Sequence, residues 1–306
     1  MTQKVFNKII ILGLIMFMYQ NQYAQQDPQY THYMYNTMSV NPAYAGQREV
    51  FSVTALYRTQ WVGIEGAPDT QTLGIHGPLR NKKIGLGLSI INDKLGPSSE
   101  VYAEANMSYT IPFNDRFTKL SFGIKAGVHH LGIDWSKGQF QKPDLVFEEN
   151  LDLWAPMIGA GIYVHSRKWY LGFSVPNFMT TEHYDDYVQS VAAERLHYFL
   201  IGGYVFYLSD NLKLKPAFLV KAVSGAPLIA DVSANLLIID KITAGLAWRW
   251  DDSVSALVGF QITDNLLIGY SYDLTTTKLG NYNLGTHEIL LRFELSKRRM
   301  LSPRFF

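Results

Sequence analysis

The stretch VYAEANMSYTI, Val101 to Ile111, decides the fold. Val101, Ala103, Ala105, Met107, Tyr109 and Ile111 form an apolar face, while Tyr102, Glu104, Asn106, Ser108 and Thr110 point the other way. A period of two belongs to a strand, and a wholly apolar face calls for a dry neighbour. The next run repeats the scheme, with Leu120, Phe122, Ile124, Ala126 and Val128 opposite Lys119, Ser121, Gly123, Lys125, Gly127 and His129. Two lysines on that second face require a wet or tightly packed interior. Ile84 to Ile90 and Val254 to Ile262 carry the same pattern.

Extending the pattern along the chain gives strands near 49–60, 69–79, 83–92, 99–111, 118–131, 155–165, 168–175, 194–208, 212–222, 228–238, 242–250, 254–263, 266–274 and 286–295. Tight polar turns recur between every other pair: Arg80-Asn81-Lys82, Asn114-Asp115, Ser166-Arg167, Ser209-Asp210-Asn211, Asp240-Lys241 and Asp264-Asn265. The intervening connections include 61–68, 132–154, 176–193 and 275–285, with Ser224-Gly225 and Asp251-Asp252-Ser253 as short exceptions. Short turns at one end and longer loops at the other are the mark of an outer-membrane barrel. The fold class expected is therefore all-β: one transmembrane barrel of about fourteen antiparallel strands over 49–295, with short periplasmic turns and longer extracellular loops. Aromatic pairs at strand ends, such as Trp169 with Tyr170 and Trp248 with Trp250, fit interface girdles. A soluble β-sandwich also alternates, but it does not explain the loop lengths and the export signal together.

Composition supports a single domain. The 306 residues hold 27 Lys and Arg against 26 Asp and Glu, which gives no reason to expect a nucleic-acid partner. Hydrophobic residues reach 47%, yet a mean hydropathy of −0.03 is too low for a bundle of membrane helices. With no cysteine, the chain has no disulfide, no thiolate metal site and no thiol nucleophile. Lys4 and Lys8 precede the apolar run Ile9 to Tyr19, and Tyr23-Ala24 offers a cleavage edge, so residues 1–24 are expected to be a cleaved signal peptide. After residue 24 no apolar stretch is long enough for a spanning helix. An even strand number then puts both mature termini in the periplasm, with 25–48 before the barrel and 296–306 as a tail.

Catalytic chemistry leaves no trace. G-x-S-x-G, S-x-x-K and H-E-x-x-H are absent, so no catalytic residue, cofactor or metal is expected, and a lipase or acyltransferase at the bilayer rim has no signature. His129 and His130 are adjacent on a strand and face opposite ways, which prevents joint chelation. Glu148-Glu149, Asp185-Asp186 and Asp251-Asp252 fall in loops, where calcium binding is weighed against a solvated surface and the latter preferred. Gly85-x-Gly87 lies in a strand and gives room for bulky neighbours. Lys297-Arg298-Arg299 could dock a partner or anionic headgroups, and Phe305-Phe306 suits recognition by barrel-assembly machinery.

The least barrel-like writing is QDPQYTHYMYNTMSVNPAYAG, Gln26 to Gly46, which has no clean period. Its amphipathic aromatics suit either a plug in the lumen or a surface for a periplasmic protein. Here the sequence resembles the PorP/SprF family of type IX secretion and gliding outer-membrane proteins. The resemblance rests on Asp27-Pro28-Gln29-Tyr30, Tyr33-Met34-Tyr35-Asn36, Asn41-Pro42-Ala43-Tyr44-Ala45-Gly46, Tyr57-Arg58-x-Gln60-Trp61 and Gly66-Ala67-Pro68 with Thr70. It continues through Gly85-x-Gly87-x-Ser89-x-x-x-Asp93, His287-Glu288-Ile289 and Pro303-Arg304-Phe305. Asn36-Thr37 departs from the Asn-Pro common at that step. The resemblance implies a non-enzymatic barrel paired with a large secreted surface adhesin bearing a C-terminal export domain. It also implies a periplasmic type IX ring or peptidoglycan-binding protein at the inner rim. The candidate plug or partner-binding residues are Tyr30, Tyr33, Tyr35, Asn41, Pro42, Tyr44, Gly46, Arg58 and Trp61. The alternative is a passive outer-membrane channel for a small solute, which Lys119 and Lys125 on the inward face keep open.

Overall fold

Among the described residues the alternating stretches form fifteen strand segments in one continuous antiparallel meander. These are β1 (Phe51–Thr59), β2 (Asp69–Pro78), β3 (Ile84–Leu95), β4 (Ser98–Pro112), β5 (Lys119–Ile133), β6 (Leu151–His165), β7 (Trp169–Val175) and β8 (His197–Tyr204). They continue as β9 (Phe206–Ser209), β10 (Leu212–Val223), β11 (Ile229–Ile238), β12 (Ile242–Arg249), β13 (Ser253–Gln261), β14 (Leu266–Thr275) and β15 (Thr286–Leu295). The last strand pairs with the first, from Phe51 opposite Leu295 to Thr59 opposite His287, so the sheet closes on itself. Closure leaves no row of unpaired edge groups, a requirement for a sheet in lipid. Because β8 and β9 both lie along β10, they are two halves of one stave, and the barrel has fourteen.

The computed structural model describes residues 28–113, 117–137, 150–179, 196–223 and 226–295. The expected signal peptide 1–24, residues 25–27 and the tail 296–306 lie outside the described residues. So do Asn114-Asp115, Ser224-Gly225, and the acidic pairs Glu148-Glu149 and Asp185-Asp186. No helix among the described residues is long and apolar enough to cross a membrane.

Three local differences from the pattern have physical causes. The strand expected at 194–208 is broken at Val205, beside Pro216 in the partner strand, where the ladder runs from Ala217–Gly203 to Leu214–Phe206. A proline there has no N–H to donate across the sheet. β3 and β4 run on to a tight turn at Gly96-Pro97, where Gly96 adopts φ +56°, a conformation free of strain only without a Cβ. β5 and β6 likewise extend into the expected 132–154 loop, leaving 134–150 as the connection.

The barrel is built inside out. Leu88 is 63% and Ile124 62% exposed on the outer face, whereas Asn106 is 2% and Lys125 1% exposed on the inner one. Such a continuous apolar exterior is stable only against hydrocarbon. Adjacent His129 and His130 do face opposite ways: His129 is buried beside Glu100, and His130 is nearer solvent against Asp152. One charge on the lipid side discriminates this arrangement from a soluble sheet. Ile124→Arg is expected to destabilise the protein refolded in lipid vesicles by about 2–4 kcal/mol, measured by urea unfolding. Asn81→Arg, in an exposed turn, should change it by less than about 0.5 kcal/mol. Equal small effects at both positions would overturn the membrane-facing assignment.

Candidate functional site

Residues 28–48, ahead of β1, run inside the barrel. Tyr30, Tyr33, Met34, Tyr35, Met38, Val40, Ala43, Tyr44 and Ala45 are buried there and join Leu56, Tyr163, Tyr170, Phe199, Ile201, Leu219, Leu267 and Leu290 in one cluster. A lumen lined by polar side chains offers little apolar surface of its own, so this segment supplies most of the core. Its backbone has only a helical turn at Thr37–Val40 and a 3-10 turn at Pro42–Tyr44. The strand faces therefore have to satisfy its remaining peptide groups.

They do so at three levels. Nearest the longer connections, Glu288 accepts the Thr31 and His32 amides at 3.0 and 2.7 Å, and its Oε1 meets His32 Nδ1 at 2.7 Å. Arg58 Nη1 lies 2.9 Å from Glu288 and 2.8 Å from Asp273, and the Thr31 hydroxyl donates to Asp273. Register explains the pairing, since Arg58 and Glu288 stand opposite each other on β1 and β15. At mid-height Lys125 Nζ bridges Glu104, at 2.8 Å, and the Ser39 carbonyl, at 3.3 Å. Near the short turns Gln47 bonds Thr110 and His165, and Arg48 pairs with Glu294, which also faces Arg292. The Tyr35 ring receives Lys215 and Arg292 on its π cloud at 5.4 and 5.2 Å. Burial pushes the Tyr30 and Tyr33 phenols up, so both remain neutral.

A single row of small residues carries the middle of the segment. Gly85, Ser108, Gly123, Gly161 and Ser174 face one another in register across β3, β4, β5, β6 and β7. Along this row Ser174 donates to the Val40 carbonyl at 2.6 Å and Ser108 to the Ala45 carbonyl at 2.7 Å. A Cβ at Gly123 would collide with the Ala43 backbone, and one at Gly85 with the Ala45 carbonyl. Asn41, fully buried, donates through Nδ2 to the Ile162 carbonyl at 3.1 Å and accepts the Ala43 amide at 2.9 Å. Pro42 follows as the first residue of the 3-10 turn, a position where its missing N–H leaves nothing unsatisfied. Tyr44 packs edge-on against Tyr163, with ring centres 5.5 Å apart, and Gly46 turns out of the row at φ +73°.

Of the nine residues singled out from sequence, the structure brings eight into this interior: Tyr30, Tyr33, Tyr35, Asn41, Pro42, Tyr44, Gly46 and Arg58. Trp61 stands apart, half-buried in the β1–β2 connection, where its amide donates to Thr286 Oγ1 at 3.2 Å. Sequence reading missed His32 within the segment and, on the wall, its partners Asp273, Glu288, Arg292 and Glu294. All but His32 are charged residues at inward positions of strands, which was the available signal. Among the described residues no group of side chains could hold a metal.

Removing one member of the Arg58 cluster leaves a buried charge without its counterion. Glu288→Ala is therefore expected to destabilise the barrel by about 3–5 kcal/mol in urea unfolding; a change under about 1 kcal/mol would show the cluster to be energetically idle. Gly123→Val should leave the strands folded while hydrogen exchange across residues 28–48 rises sharply. Unaltered protection of those amides would mean the row of small residues does not hold the segment.

The chain is similar to several solved structures at low sequence identity. The CymD monoaromatic hydrocarbon channel matches with a TM-score of 0.49 and 11% identity, over 85% of this chain and 91% of that one. Omp33 of Acinetobacter baumannii matches at 0.42 and 10%, over 80% and 98%, and a Pseudomonas aeruginosa FadL homologue at 0.42 and 11%, over 80% and 89%. No curated protein matches the sequence. A family profile described as type IX secretion system membrane protein PorP/SprF matches residues 22–293, nearly the whole chain. With its closed fourteen-stave barrel, the chain belongs to the PorP/SprF family of type IX secretion system membrane proteins.

Proposed function

We propose that this barrel acts through contacts and without catalysis, supporting export and surface attachment of a large adhesin that carries a C-terminal export domain. The family and the barrel fold point to the outer membrane and to the secretion machinery. The observation that carries the reading further is the buried segment 28–48, bonded to the inner wall at three levels. A lumen occupied in this way is poorly suited to solute passage, which favours a docking role over a passive channel. Residues 28–48 act as a plug, and Tyr30, Tyr33, Tyr35, Asn41 and Tyr44 serve the barrel's interior in place of a free partner surface. In this scheme residues 1–24 are a cleaved export signal, the short turns face the periplasm, and the connections at 134–150 and 176–196 face the adhesin. A periplasmic ring or peptidoglycan-binding protein contacts the short-turn side.

Two measurements test this. In planar bilayers the intact protein should be closed or nearly so, while Gly123→Val, or deletion of 28–46 if that variant folds, should open a steady conductance. An open intact barrel would favour the channel. In cells, deletion of 138–149 should release the adhesin without loss of the barrel from the membrane; unchanged adhesin retention would sink the loop assignment.

A further inference from the structure

The end of the barrel that carries the short turns has a distinctive inner rim. Strand parity determines which side chains turn inward, because positions two apart share a face. Lys119 lies two residues before buried Ser121 and opposite buried His165, so it faces the mouth. Lys213 precedes buried Lys215 by two, Lys168 precedes buried Tyr170, and Lys241 precedes buried Thr243. Lys83 stands in the same relation to Gly85, whose inner side abuts Ala45. Five lysines from five different turns thus converge on one opening.

Two of them are compensated. Lys119 pairs with Glu49 at 2.5 Å and Lys213 with Asp240 at 2.5 Å. Lys83, Lys168 and Lys241 are exposed and make no ion pair among the described residues. Lys168 Nζ sits 4.9 Å from the centre of the Tyr207 ring, with Lys213 Nζ 5.7 Å away from the same ring. An exposed tyrosine between two cations offers a flat apolar surface beside the charge. Among the described residues, Asp210 and Asp264 are exposed acids of the neighbouring turns beside the paired Glu49. Among the described residues the opposite end carries exposed charges of both signs, Glu65, Asp152 and Asp251 with Lys94 and Lys278.

We propose that the short-turn mouth is a docking site for an acidic polypeptide segment of a partner on that side of the membrane. Inward parity is what favours a polypeptide over lipid: the lysines line the aqueous opening, whereas headgroups gather around the outer girdle. A ring of like charge at a concave opening focuses its field on a ligand of opposite sign, and an extended acidic segment can meet several lysines at once. The site deepens the periplasmic docking proposed above and takes its orientation from that reading.

The test uses the full chain in nanodiscs of neutral lipid, where both ends are accessible, with fluorescent poly-L-glutamate as probe. Binding should be saturable and weaken steeply as salt is raised. Combined Lys83→Gln, Lys168→Gln and Lys241→Gln should weaken it about tenfold. Asp152→Asn with Asp251→Asn, at the other end, should leave it unchanged. All replacements are in exposed side chains, and unchanged urea unfolding verifies the fold. Undiminished binding by the triple variant, or no binding by the intact protein, overturns the proposal. So does lysine-dependent capture of phosphatidylglycerol vesicles as tight as that of the peptide, which would make the mouth a lipid site. Because no adhesin enters this assay, its failure is distinct from failure of the adhesin reading.

Discussion

A fourteen-strand barrel is too wide for its own inward side chains to fill, and its outer face is committed to hydrocarbon. The interior must then hold water or another piece of protein. In this chain it holds residues 28–48, and much of the remaining design follows from that choice. The row Gly85, Ser108, Gly123, Gly161 and Ser174 is small so that a backbone can lie directly on the sheet. The polar wall is charged where it meets an irregular segment whose amides need acceptors, as Glu288 does for Thr31 and His32.

Buried ion pairs are weak evidence for stability, because desolvation offsets much of their attraction. Their value here is better understood as specificity. Arg58, Glu288 and Asp273 fix the start of the segment, and Arg48 with Glu294 fixes its end. Between them, Asn41 holds the turn against backbone carbonyls of β6 and β7. Such contacts define one seating for a segment that has little regular structure of its own.

Strands were legible because lipid on one side and a polar lumen on the other enforce period two, as in Val101 to Ile111. Boundaries were less so. Gly96-Pro97 and the break at Val205 depend on turn conformation and on Pro216 in the neighbouring strand, neither of which periodicity reports. Tyr30 to Gly46 stood out as aromatic and aperiodic, but nothing local said which wall it would meet. Trp61 shared the same motif-rich neighbourhood and lies elsewhere.

By itself the sequence determined the alternating faces, the absence of thiol chemistry and the polar character of the lumen, since each follows from residue type and spacing. Only the tertiary structure decided that Glu288 would serve His32, that Gly123 would lie under Ala43, and that five lysines would share one mouth. Those partners are brought together by closure of the sheet, with separations in sequence such as the 256 residues between His32 and Glu288. No local pattern encodes a register that is set only when the last strand meets the first.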